Sequence, residues 1–112
     1  MTIRAVIFDL GGVLVRTEDR RPRSELAARY GLTYEQIDEL VFNSPTADQA
    51  ATGVIPEQEH WEAVCQALQA PAGELEAVRE AFWAGDRLDH ELIAYIRSLR
   101  PAYQTALLSN AW

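Results

Sequence analysis

Residues 3–14 read I-R-A-V-I-F-D-L-G-G-V-L, a short apolar run that ends in an acid and two glycines. A short run rich in Val, Ile and Phe predicts a strand that is buried on both faces, as in a parallel sheet. Gly11 and Gly12 are expected to end this strand, because glycine adopts backbone angles that other residues avoid. Asp9 is therefore expected at the carboxyl end of a buried strand, the edge at which open α/β sheets bind ligands.

The composition is that of a soluble globular chain of one domain's length. The 112 residues are 48% hydrophobic and 24% charged, which excludes a disordered chain. The net charge of −7 argues against nucleic-acid binding, which draws on Lys and Arg. No stretch reaches the ~18–20 apolar residues of a membrane helix. Cys65 is the only cysteine, so an internal disulfide is excluded and a cytoplasmic location is expected.

The middle of the chain has a helical pattern. Residues 15–23 are polar and predict an exposed connection. Residues 24–84 then predict about four amphipathic helices and no strand, with glycines and prolines at their ends. Thr33 and Gln36 have the spacing of a capping box at the start of one of these helices. We therefore expect an all-helical insert.

The aromatic and histidine side chains of this region have simple structural interpretations. Trp61, Phe82 and Trp83 lie at helical spacing and are predicted to pack in a core rather than to form a ligand cage. His60 and His90 have no cysteine or acidic partners at metal-ligand spacing. We therefore expect both histidines on exposed helix surfaces.

The last segment returns to an α/β pattern. Asp89 is placed to cap a helix, and residues 103–108 (Y-Q-T-A-L-L) predict a second strand that ends at Ser109 and Asn110. A helix followed by a buried strand is the second half of a right-handed βαβ crossover. If the two strands are parallel neighbours, Asp9 and Ser109 lie at the same edge of the sheet.

Two short motifs resemble those of the haloacid dehalogenase (HAD) superfamily. F-D-L-G-G-V-L resembles its motif I and L-L-S-N resembles its motif II. The resemblance implies an α/β fold with a Rossmann-like parallel sheet, of which this chain holds two core strands. It also implies that Asp9 is a nucleophile that forms an aspartyl-phosphate. Ser109 and Asn110, with the backbone N–H groups of residues 110 and 111, would then bind the phosphoryl group.

A helical insert between these motifs resembles the cap of the subfamily I members. Residues 1–16 and 87–112 would form the partial core, and residues 17–86 would form the cap. In the family, caps close over the nucleophile and select the substrate. Asn43 and its loop neighbours are candidate substrate contacts.

The resemblance also implies a magnesium ion. The Mg²⁺ ligands would be one Asp9 oxygen, the Gly11 main-chain carbonyl and an acid further along the chain. Gly11 stands where the family's phosphatases usually have a second Asp as general acid/base, although some similar members also read D-L-G. The sequence has no lysine for motif III and no motif IV acids after Ser109. We therefore expect a portion of a longer protein, with negligible turnover by itself.

These features predict a magnesium-dependent phosphatase with a small phosphorylated metabolite as its substrate. No nucleic acid or membrane partner is expected, and a homodimer is left open. A catalytically silent HAD-like binding or scaffold domain is the non-enzymatic alternative. A 2-haloacid dehalogenase, in which the same aspartate attacks carbon without a metal, is the third. Those enzymes usually carry an aromatic residue at the position of Gly11, and a magnesium requirement separates the two enzymatic alternatives.

Overall fold

The apolar run at the start of the chain forms the first strand of a mixed α/β structure. The computed structural model describes residues 2–109. Its strands are β1 (Ala5–Phe8), β2 (Val15–Thr17), β3 (Asp86–Leu88) and β4 (Gln104–Leu107). Its helices are α1 (Arg21–Arg29), α2 (Tyr34–Phe42), α3 (Pro45–Ala51), α4 (Glu57–Leu68), α5 (Leu75–Trp83) and α6 (His90–Ser98). None of these helices is long and apolar enough to cross a membrane.

Strands β1 and β4 pair in parallel. Phe8 lies opposite Leu107, and the Leu108 N–H donates to the Phe8 carbonyl at 2.9 Å. The predicted α/β fold with two parallel core strands is therefore confirmed. The predictions that β1 and β4 are buried strands are both wrong, because Ile7 is 64% exposed and Leu107 is 59% exposed. Burial on both faces requires packed layers on both sides of the sheet, and within residues 2–109 this sheet has two strands.

A second pair of strands joins residues that are far apart in the sequence. Strands β2 and β3 are antiparallel, with Val15 opposite Leu88 and Thr17 opposite Asp86. The Thr17 hydroxyl donates to Asp86 Oδ1 at 2.7 Å. The predicted exposed connection at residues 15–23 is thus wrong at both ends. Residues 21–23 begin α1, where Arg23 is only 3% exposed. Residues 15–17 form β2, and their pairing partners lie about 70 residues later, where a local pattern gives no signal.

The chain divides into two units. One contains residues 2–18 and 86–109, and the other contains residues 19–85. The sequence-based boundaries, after residues 16 and 86, differ from these by two residues and one residue. At the ends of the helical unit the Asp19 N–H donates to the Gly85 carbonyl at 3.1 Å. A side chain at Gly85 would collide with the Asp19 carbonyl, so this close approach requires glycine.

The helical unit contains nearly all of the buried apolar core. Helices α1, α2, α4 and α5 contribute the side chains of Leu26, Ala27, Ile37, Val41, Trp61, Val64, Leu68, Val78 and Phe82. The ring centroids of Trp61 and Phe82 are 5.7 Å apart, and those of Phe82 and Trp83 are 4.9 Å apart. The prediction that these three aromatic residues pack together is confirmed.

The helix ends follow their capping residues. The predicted capping box of α2 is present, since the Thr33 side chain accepts the Gln36 N–H and Gln36 reaches back to the Thr33 N–H. Helix α3 is a full helix that begins at Pro45, because Ser44 caps it by accepting the Ala47 N–H. Residues 19–85 thus contain five helices, where the sequence pattern predicts about four.

His60 corrects another expectation. Its side chain is fully buried, whereas His90 is exposed as predicted. His60 Nε2 lies 2.9 Å from the Val41 carbonyl, and Nδ1 lies 2.9 Å from the Thr46 hydroxyl. Burial is tolerated because both ring nitrogens have hydrogen-bond partners.

Candidate functional site

Asp9 and Ser109 lie at the same edge of the parallel sheet. Asp9 follows β1 directly and Ser109 is the second residue after β4, and both residues are exposed. Because β1 and β4 are parallel neighbours, the chain leaves both strands at their shared carboxyl edge. Asn110, the third predicted phosphate contact, lies outside the described residues. The structure thus shows the predicted juxtaposition, and the chemical roles of Asp9, Ser109 and Asn110 stay predictions.

A tight turn immediately follows Asp9. The Leu10 carbonyl accepts N–H groups from Val13 at 3.3 Å, Leu14 at 2.9 Å and Val15 at 3.0 Å. Gly12 has a φ of +76°, a conformation that residues with a side chain rarely adopt, and its N–H donates to the Val15 carbonyl at 2.8 Å. This turn fixes the backbone on both sides of Gly11.

The Asp9 carboxylate is oriented by the start of this turn. Its Oδ1 accepts the Leu10 N–H at 2.7 Å. A carboxylate oxygen held by a backbone N–H has a defined direction, because the acceptor must remain in line with the donor. The second oxygen, Oδ2, accepts no hydrogen bond from residues 2–109 and is available to a ligand.

An arginine that the sequence analysis did not single out contacts the same turn. Arg16 Nη1 donates to the Val13 carbonyl at 2.9 Å, and Arg16 Nη2 lies 2.8 Å from Asp89 Oδ2. Asp89 caps α6 as predicted, since its Oδ1 accepts the Leu92 N–H at 2.8 Å. This hydrogen bond, followed by the one from Arg16, lowers the pKa of Asp89. Its carboxylate is therefore held in the charged form.

Two candidate oxygen ligands for a magnesium ion lie at this edge. Within residues 2–109 no three His, Cys, Asp or Glu side chains group together as metal ligands. The donors present are the Asp9 carboxylate and the Gly11 carbonyl, which accepts no main-chain hydrogen bond from the described residues. Magnesium prefers oxygen ligands and usually binds one or two carboxylates, keeping waters and phosphate oxygens for its other positions. Both donors are oxygen atoms of the kind that Mg²⁺ binds, and a magnesium site formed by Asp9, Gly11 and a further acid stays a prediction.

The helical unit has a concave surface of its own. An open groove of about 520 Å³ is lined by Glu57, Glu76, Arg79, Glu80, Trp83 and Ala84. Arg79 is paired with Glu76 at 2.7 Å, which leaves an excess of negative charge in the groove. A phosphate would be repelled by that charge. We therefore do not assign substrate phosphate to this groove.

Asn43, the candidate substrate contact of the insert, has a structural partner. Its Nδ2 donates to Glu39 Oε2 at 2.8 Å, one turn earlier on α2. Asn43 is also the last-turn cap of α2, where its N–H donates to the Glu39 carbonyl. A role of Asn43 in substrate binding stays a prediction.

The fold is similar to two solved structures. A HAD family enzyme from Bacteroides thetaiotaomicron, in complex with magnesium and inorganic phosphate, gives a TM-score of 0.72 at 22% identity; the match covers 98% of this chain and 54% of that one. A predicted HAD-like family hydrolase from Porphyromonas gingivalis gives a TM-score of 0.65 at 26% identity, covering 97% and 52%. The chain has a HAD-like fold.

The HAD-like chain spans about half the length of these two proteins. No protein-family model matches its sequence, and no curated protein sequence matches it. The comparison of folds thus finds similar proteins where the comparisons of sequence find none. It agrees with the family inferred from the residues around Asp9 and Ser109.

Proposed function

We propose that this chain carries the nucleophile of a magnesium-dependent HAD-like phosphatase that acts on a small phosphorylated metabolite. The observation that supports this most directly is the parallel pairing of β1 and β4, which puts Asp9 and Ser109 at one sheet edge. A carboxylate and a hydroxyl at that edge suit phosphoryl transfer, whose catalysis is mostly positioning and electrostatic stabilisation. The similar B. thetaiotaomicron enzyme was solved with magnesium and inorganic phosphate, which agrees with the proposal.

In the first step Asp9 attacks phosphorus through Oδ2, the oxygen that the Leu10 N–H leaves free. A bond forms between Oδ2 and phosphorus as the ester oxygen–phosphorus bond breaks, which gives an aspartyl-phosphate and an alkoxide. The alkoxide takes a proton from water, because Gly11 has no side chain to supply one. The Ser109 hydroxyl donates to a phosphoryl oxygen.

In the second step a water molecule attacks the phosphorus of the aspartyl-phosphate. The bond between phosphorus and the Asp9 oxygen breaks, and the water gives up a proton to solvent. Inorganic phosphate leaves and the carboxylate is restored. Magnesium, held by Asp9 and the Gly11 carbonyl, would neutralise phosphoryl charge during both steps.

The helical unit, residues 19–85, is proposed to act as the cap that selects the substrate. Its all-helical composition and its place in the sequence between Asp9 and Ser109 support this role. Caps exclude water from the reacting centre and contact the non-reacting part of the substrate. The proposed attack of Asp9 on phosphorus makes the substrate a phosphomonoester. The cap residues would determine which phosphomonoester binds.

The test is the Asp9→Asn substitution in the full-length protein, assayed with p-nitrophenyl phosphate and Mg²⁺. Turnover should fall by about 10³-fold or more, because an amide cannot act as the nucleophile. Asp19→Asn is the matched control, since Asp19 is a carboxylate of the helical unit that pairs with Arg21. Chelation of Mg²⁺ should also abolish turnover, whereas a dehalogenase would need no metal.

Retained turnover in Asp9→Asn would reject the nucleophile assignment. If the wild-type protein hydrolyses no phosphomonoester in a panel of phosphorylated metabolites, the catalytically silent alternative is favoured. Equal losses in Asp9→Asn and Asp19→Asn would point to misfolding instead of lost chemistry. Circular dichroism of each variant separates these outcomes.

A further inference from the structure

The geometry points to Arg16 and Asp89 as a pair of positioning residues that hold the turn carrying Gly11 in place beside Asp9. The inference rests on the proposed function of Asp9 and extends it to two side chains that do not touch the substrate. Both residues lie in the unit formed by residues 2–18 and 86–109. We call this pair the brace.

The Arg16 guanidinium connects the turn to the start of α6. Its Nη1 donates to the Val13 carbonyl at 2.9 Å, and its Nη2 lies 2.8 Å from Asp89 Oδ2. The same Nη2 also lies 3.1 Å from Glu18 Oε1. A planar guanidinium presents its donors in a fixed fork. Simultaneous bonds to the Val13 carbonyl and to Asp89 therefore hold the turn and the start of α6 at a defined separation.

Asp89 contacts the turn a second time through its backbone. Its N–H donates to the Leu14 carbonyl at 2.7 Å, and Leu14 is only 4% exposed. The next residues pair across β2 and β3, with Val15 opposite Leu88. Two successive carbonyls of the turn, those of Val13 and Leu14, are thus bound by Arg16 and Asp89.

The Asp89 carboxylate is itself fixed on both oxygens. Oδ1 accepts the Leu92 N–H at 2.8 Å, and Oδ2 forms an ion pair with Arg16 Nη2 at 2.8 Å. The helix N-terminus further favours a negative charge at this position. The position of the Asp89 side chain is therefore fixed, and Arg16 links the turn to it through the Val13 carbonyl.

The brace is expected to matter more for catalysis than for stability. The Arg16 side chain is 41% exposed, and ion pairs with such exposure contribute little to folding. A displacement of about 1 Å in a reacting group, in contrast, can lower the rate by about 10²-fold. Asp9 is one residue before Leu10, whose carbonyl closes the turn, so movement of the turn displaces the nucleophile and the Gly11 carbonyl together.

The experiment compares Arg16→Ala and Asp89→Asn with wild type in the full-length protein. Asn caps helices as well as Asp does, so Asp89→Asn removes the charge pair and keeps the cap. Arg21→Ala is the control, because Arg21 forms a similar exposed pair with Asp19 at 2.8 Å in the helical unit. The first readout is amide hydrogen exchange at Leu14 and Val15, whose N–H groups bond to the Leu10 carbonyl.

Both brace variants should exchange the Leu14 and Val15 amides several-fold faster, with the β1 and β4 amides unchanged. With p-nitrophenyl phosphate and Mg²⁺, kcat should fall by about 10- to 100-fold while KM stays within about twofold. Arg16→Lys should recover part of kcat, since an ammonium can keep Asp89 but lacks the guanidinium fork. Arg21→Ala should match wild type in both readouts.

Unchanged exchange at Leu14 and Val15 in both brace variants would overturn the inference, whatever happens to kcat. A rise in KM with constant kcat, or an equal loss in Arg21→Ala, would also overturn it. The exchange readout does not depend on turnover, so it decides whether the brace holds the turn even if Asp9→Asn shows that the proposed function is wrong. If Arg16→Ala does not fold, Asp89→Asn alone gives the answer.

Discussion

Gly11 occupies a position where a side chain would fit. Its φ is outside the left-handed region, and a methyl group added to it would meet no described atom within 4 Å. Gly12 differs, since its φ of +76° favours glycine. Packing among the described residues thus does not require glycine at residue 11. The absence of an acidic side chain there is therefore not explained by a lack of space.

The substitution Gly11→Asp is expected to raise turnover of alkyl phosphates. A carboxyl group next to Asp9 could protonate the leaving oxygen, and general acid catalysis contributes about 10²–10⁴-fold. We expect an effect of about 10²-fold for an alkyl phosphate and little change for p-nitrophenyl phosphate, whose leaving group needs no proton. Steady-state kinetics with both substrates in the full-length protein measures this difference.

Gly11→Asn is the control, because it adds similar volume without an acid. An equal gain for both substrates, or the same gain in Gly11→Asn, would contradict general acid catalysis. A loss in both variants would show that the turn does not accept a side chain.

At the scale of elements, three helices meet at His60. The side chain projects from α4, its Nε2 donates to the carbonyl of Val41 on α2, and its Nδ1 accepts the hydroxyl of Thr46 on α3. The Val41 carbonyl can only accept, which assigns the proton to Nε2. Burial lowers the pKa of His60, against the smaller opposing effects of the Val41 hydrogen bond and the Glu57 charge.

The helical unit should therefore lose stability at mildly acidic pH. In the unfolded chain His60 titrates near 6.5, and its pKa in the folded chain is lower. Between these two values the unfolded state binds more protons, so the free energy of unfolding falls as pH drops below about 6.5 and levels off below the folded pKa. The slope for one proton is at most about 1.4 kcal/mol per pH unit. Urea unfolding at pH 8 to 5.5 measures this slope.

His60→Gln should reduce that slope, because glutamine does not titrate, although its stability at pH 8 will be lower. His90→Gln is the control, since His90 is exposed and belongs to the other unit. An undiminished slope in His60→Gln would assign the acid sensitivity to other groups.

At the scale of the whole molecule, the buried core lies almost entirely in the helical unit. Its nine core side chains come from α1, α2, α4 and α5. Arg23 is also buried there, donating to the Phe82 carbonyl at 3.1 Å and pairing with Asp38 at 2.7 Å. In the sheet-containing unit, Ile3, Ile7 and Leu108 are each more than 60% exposed. The two units therefore differ in how much apolar surface each buries.

Residues 19–85, expressed alone, should fold into a helical domain with a cooperative thermal transition. Its hydrophobic core is internal, and its two ends meet through the Asp19–Gly85 hydrogen bond. Circular dichroism during heating measures the transition. The stability should be small, since a single core of this size supplies about 3–5 kcal/mol.

Phe82→Ala in the same segment should abolish the transition, because truncating a buried Phe costs about 3–5 kcal/mol. Phe42→Ala is the milder comparison, since Phe42 is 40% exposed. A segment 19–85 without a cooperative transition would show that its core is insufficient alone.

Local patterns predicted much of the fold. The apolar run before Asp9 predicts β1, the capping box at Thr33 predicts the start of α2, and the sequence predicts Asp89 as the cap of α6. Each of these signals lies within a few residues of the feature that it specifies. The place of Asp9 at the sheet edge was predictable for the same reason, because it depends on one strand and the glycines after it.

The sequence by itself determined the strands that carry Asp9 and Ser109, the helical insert and the family that both suggest. The tertiary structure alone decided that His60 is buried, that Val15–Thr17 is a strand, and that Arg16 meets Asp89. These three features depend on contacts between residues that are 14 to 73 positions apart. Such contacts arise only when distant elements pack, so no periodicity or local spacing in the sequence can specify them.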